Sequence, residues 1–208
     1  MDALAVGELD LLVGTDATKE NVLAALPSTT HAHLACHGAA SIFGQALEAA
    51  VSLAHDEPLL AREILELDGF RPRLVVASAC ETGVVQGYDA ADEVLTLGAM
   101  FVAAGAAGVV STLWSIEDFP TALLMSRFYE QLQEGLVGDP AGALRGAQLW
   151  LRSLTPDEED RYLATRPVLR TQRGERRPTG AETATEAQDD GRLYANITTW
   201  GAFVFSGA

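Results

Sequence analysis

Lysine is almost absent from this sequence. Lys19 stands alone beside 13 arginines, and together these bases face 29 acidic residues, for a net charge of −15. Such an acidic balance excludes nucleic acid, or an anionic membrane, as a partner recruited through bulk charge. Long apolar runs are missing too. None approaches the ~18 residues that a membrane-spanning helix needs. The opening residues MDALAVGELDLLVG lack the basic region of a secretory signal, so a cytoplasmic location is the expectation. Cysteine occurs only twice, as Cys36 and Cys80. A cytosolic chain with so few thiols usually keeps them reduced. Each therefore needs its own explanation, as core filler or as a working thiol. Aromatic residues make up only 7%, which leaves Ala, Val, Leu and Gly to fill the interior.

What is present is a globular chain. With 208 residues, 48% of them hydrophobic, it has enough apolar matter for one core and too much for wholesale disorder. Runs such as Leu74–Cys80 (LVVASAC) and Gly108–Trp114 (GVVSTLW) are nearly continuous in apolar or small residues. That pattern suits strands covered on both faces, as in parallel sheets. His31–Cys36 (HAHLAC) and Ala202–Ser206 (AFVFS) read as further strands, and Leu11–Gly14 as a weak one. Helices are expected between them: Thr15–Leu26, capped by Asp16 or Thr18; a short one over Leu60–Leu67; then Ala90–Ala104 and Phe119–Gly135. A further helix spans Asp139–Leu154, where Asp139 and Pro140 form a cap and first turn. Between Gly38 and Leu60 no strand is obvious. Strands alternating with helices predict an α/β layered domain.

Residues 155–195 break the alternation. This stretch is polar, mixed in charge, and holds seven of the 13 arginines. It reads as a long flexible insertion before the last strand.

Two positions could carry chemistry. His37-Gly38 ends one expected strand, and Cys80 ends another within Ser78-Ala79-Cys80-Glu81-Thr82-Gly83, 43 positions later. Ligands of open α/β sheets bind beyond the carboxyl ends of the strands. Two adjacent parallel strands would bring both side chains to that rim. An imidazole beside a thiol is the minimum arrangement for a cysteine nucleophile. Gly38, without a Cβ, lets its backbone come close to a substrate, and its N–H with that of Cys80 would face a developing oxyanion. Taken alone, these residues fit a buried inert thiol and a core histidine at least as well. His31, His33 and His37 share strand parity and, with Cys36, suggest a zinc cluster. Cys36 has the opposite parity, however, and no carboxylate stands at ligand spacing, so no metal is expected. Cys36 reads as core filler. Trp114 reads as pocket wall or core. Glu117 and Asp118 read either as an anionic subsite for a basic P1 residue or, through Asp118, as the cap of the following helix.

An ordered series of segments goes further. His33-Leu34-Ala35-Cys36-His37-Gly38 is followed by Leu74-Val75-Val76-Ala77-Ser78-Ala79-Cys80-Glu81-Thr82-Gly83. After them come Gly108-Val109-Val110-Ser111-Thr112-Leu113-Trp114-Ser115-Ile116-Glu117-Asp118 and the closing Trp200-Gly201-Ala202-Phe203-Val204-Phe205. In this order they closely resemble the CHAT domain, the caspase-like peptidase module related to separase in clan CD. The resemblance implies a caspase-haemoglobinase-like three-layer sandwich around a central, mostly parallel sheet. It runs from about Leu12 to Gly207, the 155–195 insertion apart, and implies that residues 1–208 form a single domain. It implies a cysteine endopeptidase with His37 and Cys80 as catalytic dyad, Gly38 and Cys80 as oxyanion-hole donors, and no cofactor. The partners it implies are a protein or peptide substrate and a regulatory protein or TPR-type domain. The alternative is a CHAT fold used as a non-enzymatic interaction or signalling module.

Overall fold

A computed structural model describes residues 9–36, 38–39, 50–78, 97–135, 138–175 and 191–207. These fall into two compact units, 1–115 with 203–208, and 116–202.

The first unit is mixed α/β. Its main sheet consists of β1 (His31–Leu34), β5 (Leu74–Ala77), β6 (Gly108–Thr112) and β7 (Phe203–Gly207), side by side in that order. β1, β5 and β6 run parallel, and β7 closes the sheet antiparallel to β6. The central, mostly parallel sheet flanked by helices is the one expected from the sequence. Every residue of β5 and β6 is buried, which is why these runs lack the polar alternation of a one-sided strand.

One face of the sheet packs into a single core. Leu34, Val75, Ala77 and Val109 meet Val22 of α1 (Lys19–Ala25), Ala61 and Ile64 of α2 (Ala61–Leu65), and Met100 and Phe101 of α3 (Leu97–Ala104). Phe70 and Phe101 stack at 6.1 Å between centroids. Thr18, rather than Asp16, caps α1, its hydroxyl accepting from the Asn21 N–H at 3.2 Å. The weak strand expected at Leu11–Gly14 does not form; Gly14 opens a short turn of 3₁₀ helix. Helix α3 stops in a paired C-terminal turn: Gly105 N–H donates to Val102 and Ala106 N–H to Phe101. Gly105 has φ +120°, and a Cβ there would lie 2.6 Å from the Phe70 carbonyl oxygen. Only glycine can turn the chain into β6 at that point.

A small antiparallel sheet of β2 (Gly38–Ala39), β3 (Ala50–Ser52) and β4 (Pro58–Leu60) also forms, where no strand was expected. Its strands are two or three residues long, below the length at which alternation can be read. The β3–β4 turn places His55 and Asp56 at φ 62° and 58°. Two successive residues of positive φ suit a tight hairpin, usually built from Asn-Gly. His and Asp tolerate that region but do not announce it in a sequence.

The second unit is helical: α4 (Asp118–Gln133), α5 (Pro140–Ser153), α6 (Pro156–Ala164), α7 (Pro167–Glu175) and the short α8 (Ile197–Trp200). α4 buries Leu123, Leu124, Met125, Phe128 and Leu132, and α5 buries Ala143, Leu144, Ala147 and Leu151. Asp139 caps α5, accepting from the Gly142 N–H at 2.8 Å.

Part of the segment expected as a flexible insertion is helical. Residues 156–175 form α6 and α7, and Leu193 N–H donates to the Leu154 carbonyl at 2.9 Å, stapling the two ends of the segment. The remainder of it, 176–190, lies outside the described residues. Thr155 and Glu158 form a capping box on α6, with Glu158 accepting from the Thr155 N–H at 3.0 Å and its hydroxyl at 2.7 Å. Charge, more than an apolar stripe, holds these helices down. Glu159, 2% exposed, pairs with Arg173 at 3.0 Å and accepts from the Tyr194 hydroxyl. Glu130 of α4 accepts from Tyr162 at 2.9 Å, Arg166 Nε at 3.0 Å and Arg127 at 3.1 Å. The Arg166 guanidinium also lies 3.7 Å over the Tyr162 ring. A segment docked through arginine, tyrosine and carboxylate reads in sequence as a polar linker. Among the described residues no helix is long and apolar enough to cross a membrane.

Burial alone would raise the Glu130 carboxyl, but hydrogen bonds from Arg166, Arg127 and Tyr162 outweigh it and hold the group below its ordinary 4.5. A carboxyl depressed on folding stabilises above its unfolded pKa, and that contribution fades as pH falls through the folded value. Melting temperature should therefore drop on acidification below about 4.5. Glu130→Gln should be less stable than the wild type at pH 7, with the gap narrowing towards pH 3. A gap that stays constant with pH contradicts this.

Candidate active site

The carboxyl ends of β1, β5 and β6 lie at one rim of the main sheet, because the three strands are parallel. The β1–β5 ladder pairs His31 with Leu74, Ala32 with Val75, His33 with Val76 and Leu34 with Ala77. Ser78 N–H continues it, donating to the Leu34 carbonyl at 3.1 Å.

Three groups at this rim are described in detail. His33 and Ser78 lie on the same face, since Ser78 is two positions beyond Val76, the residue opposite His33. Their side chains meet, with His33 Nε2 2.9 Å from Ser78 Oγ, and Ser78 Oγ 3.5 Å from the Leu34 carbonyl oxygen. His33 keeps part of its surface exposed. Packing around the ring nevertheless strips enough water to hold the imidazole below its ordinary 6.5, which favours the neutral form. Cys36, two residues past Leu34, packs against the core cluster. Burial pushes its thiol up to about 11. It is the core filler expected from its parity, and a thiol raised in this way is a poor nucleophile.

The remaining sequence candidates are distributed as follows. Gly38 opens β2, its backbone opposite Val51 of β3. His37 and Cys80 lie outside the described residues, as does Glu81. Trp114 is half-buried two residues past the end of β6, hence at the same rim. Glu117 and Asp118 are exposed at the start of α4, in the second unit. The expectation that Asp118 caps α4 is corrected: Asp118 is the first helical residue and Glu117 takes the cap position. Glu117 does so through its main chain, its carbonyl accepting from the Thr121 N–H at 3.1 Å and the Thr121 hydroxyl at 2.8 Å. His31 Nδ1 meets the Thr30 hydroxyl at 3.1 Å. Burial, with the charge of Arg73 in second place, lowers its pKa. Among the described residues no group of three His, Cys, Asp or Glu side chains could hold a metal ion.

Ser78 was not singled out from the sequence. The signal was available: aligning His37 with Cys80 fixes a 43-residue register, and that register places residue 78 diagonally opposite residue 33.

The central, mostly parallel sheet flanked by helices defines an α/β domain and is consistent with a caspase-like fold. The model of the CHAT domain family matches residues 1–208, the whole chain, and the protein belongs to that family, which is related to the caspase-like cysteine peptidases. No curated protein matches the sequence closely enough to stand as a relative.

The raised Cys36 thiol gives a direct check. Against an ordinary thiol at 9.0, a value of about 11 means about 100-fold less thiolate at neutral pH. Because a more basic thiolate is also the stronger nucleophile, iodoacetamide at pH 7.5 should alkylate Cys36 at least about 10-fold more slowly in the folded protein than in urea, as read by peptide mass spectrometry. Equal rates contradict the burial of this thiol.

Proposed function

We propose that the protein is a cysteine endopeptidase working through a His37–Cys80 dyad. The supporting observation is the β1–β5 register. Its paired residues stand 43 positions apart, which is also the separation of His37 from Cys80. Each lies three residues beyond the last paired residue of its strand, Leu34 or Ala77. Both residues therefore follow, at the same short distance, the carboxyl ends of two neighbouring parallel strands, the rim where open α/β sheets bind ligands.

In this reading His37 takes the Cys80 proton and the thiolate attacks the scissile carbonyl. The backbone N–H groups of Gly38 and Cys80 stabilise the tetrahedral oxyanion. His37 then protonates the leaving amine, and water hydrolyses the thioester. Among the two cysteines the choice is favoured by chemistry, since Cys36 is a half-buried thiol with a raised pKa. The substrate is a protein or peptide, and the enzyme acts in the cytoplasm. A partner protein or neighbouring TPR-type domain restrains it.

A P1-scanning fluorogenic peptide library tests the proposal. The wild type should cleave a subset of it. Cys80→Ala and His37→Ala should each lose about 10³-fold or more in kcat/KM, with melting temperatures close to the wild type. A thiol-reactive activity probe should label Cys80 and not Cys36. Undiminished cleavage by either folded variant overturns the dyad. No cleavage and no labelling by the wild type would instead favour a non-enzymatic module.

A further inference from the structure

The side-chain contact between His33 and Ser78 is a cross-strand link at the end of the β1–β5 ladder. It joins two residues that are diagonal, not directly opposite, in the parallel register. Imidazole nitrogen and hydroxyl stand 2.9 Å apart, a normal hydrogen-bond distance. Ser78 is bound to β1 twice more, through its own N–H at 3.1 Å and weakly through its hydroxyl at 3.5 Å, both to the Leu34 carbonyl. Beyond this point the described ladder has no further rung. His33 lies four residues before His37, and Ser78 two residues before Cys80.

We propose that His33 and Ser78 are a positioning pair, whose hydrogen bond fixes the spacing of the two chain segments that carry His37 and Cys80. This rests on the peptidase reading above. A dyad transfers a proton only when its heavy atoms come within about 3 Å. A displacement of 1 Å costs about 100-fold in rate. A side-chain bond between the two strands, two residues in sequence from the thiol, constrains that spacing where the main-chain ladder ends. The pair does not itself touch the scissile bond. A neutral ring serves it in either direction, accepting the Ser78 proton or donating its own, and desolvation, which lowers the pKa of His33, favours that neutral ring.

The test reads the Cys80 thiol itself. The pH midpoint of Cys80 alkylation is measured by mass spectrometry in the wild type, His37→Ala, His33→Ala and Ser78→Ala, together with kcat, KM and melting temperature. Ser78→Ala removes a single oxygen and guards against a folding defect in His33→Ala. The expected result is a Cys80 midpoint moved at least half a unit from the wild type towards that of His37→Ala, and a kcat lowered about tenfold with KM within twofold. Ser78→Thr and His33→Gln, which keep a hydrogen-bonding group at the same reach, should restore kcat to within about threefold of the wild type. If the wild-type midpoint lies below that of His37→Ala and neither His33→Ala nor Ser78→Ala moves it, the positioning role is overturned and the dyad stands. If the wild type and His37→Ala share one midpoint, the dyad fails and the positioning role fails with it.

Discussion

The pairing of β1 with β5 constrains everything this protein can present at its carboxyl rim. A parallel ladder has one register, and a slip of one residue would turn every side chain to the opposite face. Here slippage is opposed from within. Leu34, Val75 and Ala77 face a core with Val22, Ile64 and Phe101, so a shifted strand would expose apolar groups and bury His31 or His33. Both strands of the pair are set by burial.

That dependence links packing to function by a short path. β5 and β6 are buried over their whole length, and rigid strands hold their ends rigidly. Gly105 turns α3 into β6 where a side chain would collide with the Phe70 carbonyl. The second unit is held in another way. There Glu130 and Glu159 gather Arg127, Arg166, Arg173, Tyr162 and Tyr194. Such a network is costly to desolvate and is stable only when nearly every group finds a partner. The first unit therefore depends chiefly on apolar burial, and the helices α6 and α7 of the second on paired charge.

How much could be read from the sequence follows from this difference. The main strands and the long helices were legible because burial writes itself as apolar runs: LVVA and GVVST became β5 and β6, and the Asp139-Pro140 start of α5 formed as its residues predict. α6 and α7 were not, because arginines and carboxylates look the same in a docked helix as in a linker. Thr155-Pro156-Asp157-Glu158 nonetheless carries a capping-box signature. The small sheet was illegible because its strands are very short and its turn uses His55 and Asp56 in place of Asn-Gly. At the rim, the parity of Cys36 separated it from His31 and His33, since Cys36 packs against the core and both histidines are exposed. The contact of His33 with Ser78 follows from the register, which the 43-residue separation of His37 and Cys80 already implied but which was not applied to residue 78. The role of Asp118 as a cap failed by one position, because the Glu117 main chain starts the helix.

The central claim is a spacing, and a disulfide measures it. Bridged cysteines need Cα atoms about 4.4–6.8 Å apart, and neighbouring strands lie about 4.8 Å apart. In a Cys36→Ser background, His37→Cys introduces a thiol opposite Cys80 if the 43-residue register continues past Leu34 and Ala77. Mild oxidation should then convert both thiols to an intramolecular disulfide, with the bridged peptide pair found by mass spectrometry. Two thiols that remain free in the folded monomer under those conditions would contradict the account.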